Sequence, residues 1–162
     1  MPLQKIETKL QELLSPEIFN HSLQVKEFCL SIAKQYSCEP ERLATAGLLH
    51  DCGKIYNSGE LISRAEDFDI PITEVILDAP VDILHGPIGA SVAREIFGID
   101  DNEIIMAIKH HTFGANEMTL FSKLIFVADK INTVNNNYLG EINEIKSALA
   151  RDLDLAVSNL LI

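Results

Sequence analysis

Apolar positions recur at helical spacing along almost the whole chain. Ile6, Leu10, Leu13 and Leu14 share one face of a helix over 3–14. Ser15-Pro16-Glu17 then restarts the chain, with serine as cap, proline at the first helical position and glutamate in the first turn. The second helix is predicted to reach about Tyr36, with Ile18, Val25, Phe28 and Ile32 facing inward. His21 falls on that inward face, one turn before Val25. Cys38-Glu39-Pro40-Glu41 opens a third helix, whose second half, Ala46-Gly47-Leu48-Leu49, is apolar all round and predicts burial on every side. It ends at His50-Asp51, where Gly53 breaks it.

Ser58 is the expected cap of a fourth helix running to about Phe68, and a short helical turn is expected over Ile72–Leu77. Gly86-Pro87 opens a helix through Phe97, with Gly98 as its stop. Asp100-Asp101-Asn102 caps a helix from Glu103 to His111. Thr119 starts another, in which Asp129 is the acid of an apolar run. Asn132–Tyr138 reads as loop, and Glu141–Ile162 as one or two amphipathic helices. Leu124–Ala128 could be a buried strand by periodicity alone, but its flanks fit a helix. The expected fold is all-α, a helical bundle forming one domain over 1–162.

Composition refines this picture. The chain is 47% hydrophobic without tryptophan and only 6% aromatic, so the core is expected to be aliphatic. A net charge of −11 argues against nucleic acid as a partner, because phosphate contacts need clustered Lys and Arg. The acidic excess is either a soluble surface or a set of groups neutralised by divalent cations. Cys29, Cys38 and Cys52 form no scaffold or metal spacing, which predicts a reducing, cytoplasmic setting. The first residues lack a signal sequence, and no apolar run approaches the ~18 residues of a membrane span.

The candidate chemistry lies in histidines and aspartates. His21, His50, His85 and His110 sit at helix ends or on apolar faces, with His111 next to the last. Asp51 and Asp129 also stand in apolar settings, where a carboxylate needs a partner or a metal. Imidazole and carboxylate together suit zinc, iron or manganese. Each histidine alone is more simply a core or surface residue; it is their order that carries the signal.

That order, with its flanking residues, resembles the HD-domain metal-dependent phosphohydrolases. Narrower still, it is similar to the bacterial symmetrical diadenosine tetraphosphate hydrolases of the YqeK group. The matching segments lie within 15–138: His21-Ser22-Leu23-Gln24-Val25; Ala46-Gly47-Leu48-Leu49-His50-Asp51 with Lys54; Leu84-His85-Gly86-Pro87-Ile88-Gly89-Ala90; Ala107-Ile108-Lys109-His110-His111-Thr112-Phe113-Gly114; and Val127-Ala128-Asp129. The resemblance implies an all-helical fold holding two divalent or mixed-valence metal ions, usually iron, with manganese, nickel or zinc as alternatives. His21, His50, Asp51 and Asp129 would hold one ion, and Asp51 would bridge to a second held by His85 and His110. Such a pair acidifies a water and stabilises charge on phosphoryl oxygens. Lys54 would bind phosphate beside the catalytic Asp51, and His111 would serve as general acid or phosphate donor. His85, His110, Thr112 and Gly114 would also meet the nucleotide.

The implied reaction is cleavage of diadenosine tetraphosphate to two ADP. The family's arginine before the first histidine is absent here, and Lys130-Ile131-Asn132-Thr133-Val134-Asn135 replaces its usual arginine-bearing sequence after the last aspartate. Another nucleotide or phosphoester as substrate, and a metal- and nucleotide-binding module without turnover, therefore stand as alternatives. The segment 139–162, with Leu149, Leu153, Leu155, Leu160 and Leu161, serves either the core or a homodimer interface.

Overall fold

Helix starts coincide with groups that satisfy orphan backbone donors. The Ser15 hydroxyl accepts from the Ile18 amide at 3.4 Å, ahead of Pro16. The Glu39 carboxylate accepts from the amides of Glu41 and Arg42 at 3.2 and 2.7 Å. Asp101 accepts from the Glu103 amide at 3.0 Å, and the Thr119 hydroxyl from the Ser122 amide at 3.1 Å. In a computed structural model, which describes residues 1–72, 79–133 and 139–160, these starts open helices as expected.

The helices are α1 (Leu3–Leu13), α2 (Pro16–Ala33), α3 (Pro40–Leu49), α4 (Leu61–Asp67), α5 (His85–Glu95), α6 (Asn102–His110), α7 (Leu120–Thr133), α8 (Leu139–Arg151) and α9 (Leu153–Leu160). Single 3₁₀ turns occupy Cys52–Ile55 and Val81–Leu84. There is no strand among the described residues, so the fold is all-α, and the run 124–128 lies inside α7. No described helix is long and apolar enough to cross a membrane.

Helix α3 is the axis of the bundle. Every residue from Leu43 to Leu49 is buried, and α1, α2, α6 and α7 all pack against it. Its Gly47 is required by close approach: a Cβ there would lie 2.9 Å from Cys29 Sγ and 3.3 Å from the Val25 carbonyl oxygen, both on α2. That approach brings His21 of α2 beside His50 at the end of α3. The core is aliphatic, as composition predicts: Leu43, Leu48, Leu49, Ile88, Ile108, Leu124 and Ile125 are fully buried, with Phe97 and Phe126 as the large aromatic members. Each such side chain contributes roughly 1.5–3 kcal/mol through burial.

Arg42 ties the start of α3 to the start of α6. Its Nε donates to Asp101 Oδ2 at 2.6 Å and its Nη2 to Glu103 Oε2 at 2.8 Å. The guanidinium beside Asp101 holds that carboxyl below its ordinary range. Asp101 thus both caps α6 and anchors it to α3. Asp101→Ala is expected to lower stability by about 1–2 kcal/mol in urea unfolding, and Asp101→Asn to recover most of the loss because it can still cap. Equal stability of the alanine variant and the wild type would refute the capping role.

Several boundaries differ from expectation. Helix α2 ends at Ala33, not Tyr36, because the chain turns through Ser37 at φ +53°. Glu60, not Ser58, precedes α4; the Ser58 hydroxyl instead donates to Asp82. Helix α7 continues through Asn132 and Thr133, whose side chains donate back to the carbonyls of Ala128 and Asp129 at 2.7 and 2.8 Å. The rest of the expected 132–138 loop lies outside the described residues, as does the turn expected over 72–77 apart from Ile72, which has no regular structure. The C-terminal segment forms two helices. Leu149 is buried, Leu153 and Leu160 pack against the core, and Leu155 is exposed.

Candidate metal centre

Three histidines at helix termini share one local device. His50 follows the last turn of α3, and its Nδ1–H donates to the Gly47 carbonyl at 2.7 Å. His111 follows α6 and donates from Nδ1 to the Ile108 carbonyl at 2.7 Å. His85, where the Val81–Leu84 turn runs into α5, donates from Nδ1 to the Asp82 carbonyl. In each case the acceptor is the carbonyl three residues back, which can only accept. Nδ1 is therefore the protonated nitrogen, and Nε2 carries a lone pair directed into the bundle.

Those lone pairs converge. His50 Nε2 and His21 Nε2 are 3.2 Å apart, and His85 Nε2 and His111 Nε2 are 3.0 Å apart. Asp51 stands between the two pairs. Its Oδ2 is 3.5 Å from His50 Nε2, while its Oδ1 is 3.2 Å from His85 and 3.4 Å from His111. Asp129, from α7, puts Oδ1 3.0 Å from His21 Nε2 and 3.6 Å from His50 Nε2. The donor atoms of His21, His50 and Asp51, and those of Asp51, His85 and His111, each lie within 4.8 Å of one another. Imidazole lone pairs set face to face repel unless a proton or cation comes between them. Carboxylates on both sides favour the cation, so the donor set fits divalent metal.

The electrostatics point the same way. His50 is fully buried and Asp51 is 2% exposed. Burial alone would keep His50 neutral, but the Asp51 and Asp129 carboxylates raise its pKa. Burial alone would neutralise Asp51, yet His50, His111 and His85 hold its carboxyl well below the ordinary range. Asp129 is likewise driven down against its burial by His21, His50 and Lys130. The site calls for positive charge among these groups.

Backbone packing fixes the two halves together. A Cβ on Gly53 would fall 2.1 Å from the His85 carbonyl oxygen and 2.8 Å from the Gly89 nitrogen. The turn after Asp51 therefore lies backbone to backbone on α5, and no other residue fits there. A cavity of about 700 Å³ opens over the cluster, lined among others by Asp51, Asp129, Lys54, Lys130 and Thr112.

The structure brings His21, His50, Asp51, His85 and Asp129 together, with Lys54 donating to Asp51 Oδ2 at 2.7 Å. It does not bring in His110. Ile104, Ile105, Ala107 and Ile108 are the buried residues of α6 and the buried His111 follows them, whereas Met106 and His110 are half-buried and Lys109 is exposed. His111 takes the place expected for His110. Burial pushes the pKa of His111 down to about 4, and its Nδ1–H is taken by the Ile108 carbonyl. Thr112 lines the cavity. Gly114 does not; it lines a separate hollow with Lys109, His110 and Phe113. Two residues of the cluster were missed. The Thr133 hydroxyl, whose one proton is shared between the Asp129 carbonyl and carboxylate, lies 3.0 Å from Asp129 Oδ1, and Lys130 donates to Asp129 Oδ2 at 2.6 Å. Thr133 lies one helical turn after Asp129, a spacing that could have flagged it.

This geometry agrees with comparison to known proteins. Residues 18–133 match the sequence model of the family described as HD domain. The chain belongs to the HD domain family. A Staphylococcus aureus (strain NCTC 8325 / PS 47) protein named bis(5'-nucleosyl)-tetraphosphatase, symmetrical, is 35% identical over 131 residues, covering 81% of this chain and 66% of that one. A protein of the same name from Halalkalibacterium halodurans is 29% identical over 158 residues, 95% of this chain and 82% of the relative. This HD domain chain thus spans slightly less than two thirds of the first relative and most of the second. A crystal structure of a predicted HD superfamily hydrolase involved in NAD metabolism, from Clostridium acetobutylicum, superposes with a TM-score of 0.86 at 29% identity, covering 96% of this chain and 81% of that one.

Proposed function

We propose that this HD domain chain is a two-metal phosphohydrolase that cleaves diadenosine tetraphosphate symmetrically to two ADP. The observation that carries the reading is the pair of opposed Nε2 couples, His21–His50 and His85–His111, with the Asp51 carboxylate between them. His21, His50, Asp51 and Asp129 would hold one ion, and Asp51, His85 and His111 the other. Iron is the first candidate, with manganese, nickel and zinc accommodated by the same donors. When bound, the ions supply an acidified water as nucleophile and charge stabilisation on the phosphoryl oxygens. The names of the relatives support the substrate and the symmetrical cut.

The chain's own groups do the positioning. The carbonyls of Gly47, Asp82 and Ile108 fix the tautomer and tilt of three imidazoles. Lys54 neutralises Asp51 and faces the cavity as a point charge for phosphate. A phosphate leaving group has a pKa of about 6, so its departure needs no general acid. The cytoplasm as compartment is supported by three unpaired thiols, two of them buried.

One observation favours a second reading, a smaller nucleotide as substrate: among its described lining residues the cavity has no arginine. Both readings meet the same test. Protein loaded with iron or manganese is incubated with diadenosine tetraphosphate and a panel of mono- and dinucleotides, and the products are separated by chromatography. ADP alone is expected from diadenosine tetraphosphate, with activity lost to chelator and restored by metal. AMP plus ATP would refute the symmetrical cut. Cleavage of other nucleotides only would favour the second reading, and no cleavage at all would end both.

A further inference from the structure

The cavity over the cluster is acid-rich: Glu17, Asp51, Asp82 and Asp129 all line it. A polyanion entering it meets these carboxylates and needs cations placed among them. Lys54 and Lys130 are the cationic side chains of the described lining. Lys54 is already placed at Asp51. Lys130 stands in the same relation to the other aspartate. Its Nζ donates to Asp129 Oδ2 at 2.6 Å, while Asp129 Oδ1 faces His21 and His50. The oxygen turned to the histidines and the oxygen turned to the lysine are different atoms.

Lys130 is also held in place, unlike a solvated surface lysine. Its ammonium lies 5.4 Å from the centroid of the Phe126 ring, one turn earlier on α7. It reaches the His111 carbonyl at 3.5 Å, and its side chain is only 32% exposed. An ammonium has three donors. Asp129 and the His111 carbonyl use two of them, and the third is available on the cavity side of a side chain that lines it.

We infer that Lys130 binds a phosphate of the substrate and, together with Lys54, sets the preference of this site for a chain of consecutive phosphates. The inference rests on the phosphohydrolase reading above. Each lysine stands at its own aspartate, so each can take a separate phosphate of one chain, and the ammonium accepts phosphate oxygens from many directions. The substrate class that follows is a nucleoside carrying two or more linked phosphates.

The test is binding of ADP and of AMP to manganese-loaded protein by titration calorimetry, for the wild type, Lys130→Met and Lys130→Arg, with metal content measured on each. The wild type is expected to bind ADP more tightly than AMP. Lys130→Met should weaken ADP binding about tenfold or more, as loss of a charged hydrogen bond does, and AMP binding much less. Lys130→Arg should keep most of the preference, and metal content should be the same in all. ADP binding by Lys130→Met equal to that of the wild type would overturn the inference alone. So would a loss of metal with an unchanged ratio of ADP to AMP affinity, since Lys130 would then serve only to neutralise Asp129. A wild type that binds neither nucleotide would overturn the phosphohydrolase reading and this inference with it.

Discussion

Asp51→Ala is expected to reduce turnover of diadenosine tetraphosphate by at least about a thousandfold and to lower bound metal to one ion per chain or less. A contact outside the ligand shell already changes metal affinity or activity by about 10–100-fold. Asp51 does more than such a contact, because its two oxygens face different histidines: Oδ2 faces His50, and Oδ1 faces His85 and His111. Removing it uncouples the two halves and also leaves buried imidazoles without their counter-charge. Asp51→Asn separates these effects. It keeps the size and most of the packing but loses the anion, so its metal content should fall as in the alanine variant while its fold survives by circular dichroism. Elemental analysis and product chromatography provide the check. Two ions per chain with wild-type rates in either variant would refute the bridging role.

The second large effect separates adjacent residues. His111→Ala is expected to cost about a hundredfold or more in rate and to empty the half of the centre shared with His85. His110→Ala should stay within about threefold of the wild type. His111 is 1% exposed, with Nε2 3.0 Å from His85 Nε2. His110 lies on the other side of α6, in the hollow with Lys109 and Phe113. Its pKa is lowered by partial burial and by Lys109, and no carboxylate is among the causes. Both variants are assayed at equal loaded-metal concentration, with metal per chain measured. The opposite ranking would remove the His85–His111 pair from the centre.

The choice between these two histidines was legible in the sequence. The apolar stripe Ile104, Ala107, Ile108 continues at helical spacing to position 111, so periodicity alone points to His111. Motif order, which treats His110-His111 as a doublet, cannot make that distinction. Most helix starts were legible for a similar reason, since Ser15, Asp101 and Thr119 act within a few residues of themselves. Ser58 misled because its hydroxyl is taken by Asp82, a residue 24 positions away. The continuation of α7 past Asn132 depends on side chains that turn back to carbonyls of the preceding turn, where composition alone reads as loop. Lys130 had no sequence signal at all. A lysine after an acid is usually solvated, and its role rests on packing against Phe126 and on the cavity it faces.

The contact at Gly53 has a consequence for how this centre can change. The backbone after Asp51 and the backbone of His85 are held together by peptide planes in close approach, with no side chain between them at Gly53. A spacing held by rotamers drifts as neighbours mutate, and the drift can be absorbed. One held by peptide planes changes only when a whole helix moves. The distance between the two halves of the centre therefore behaves as a fixed gauge. Variation around it is free to retune what the cavity admits and leaves the gauge itself unaltered.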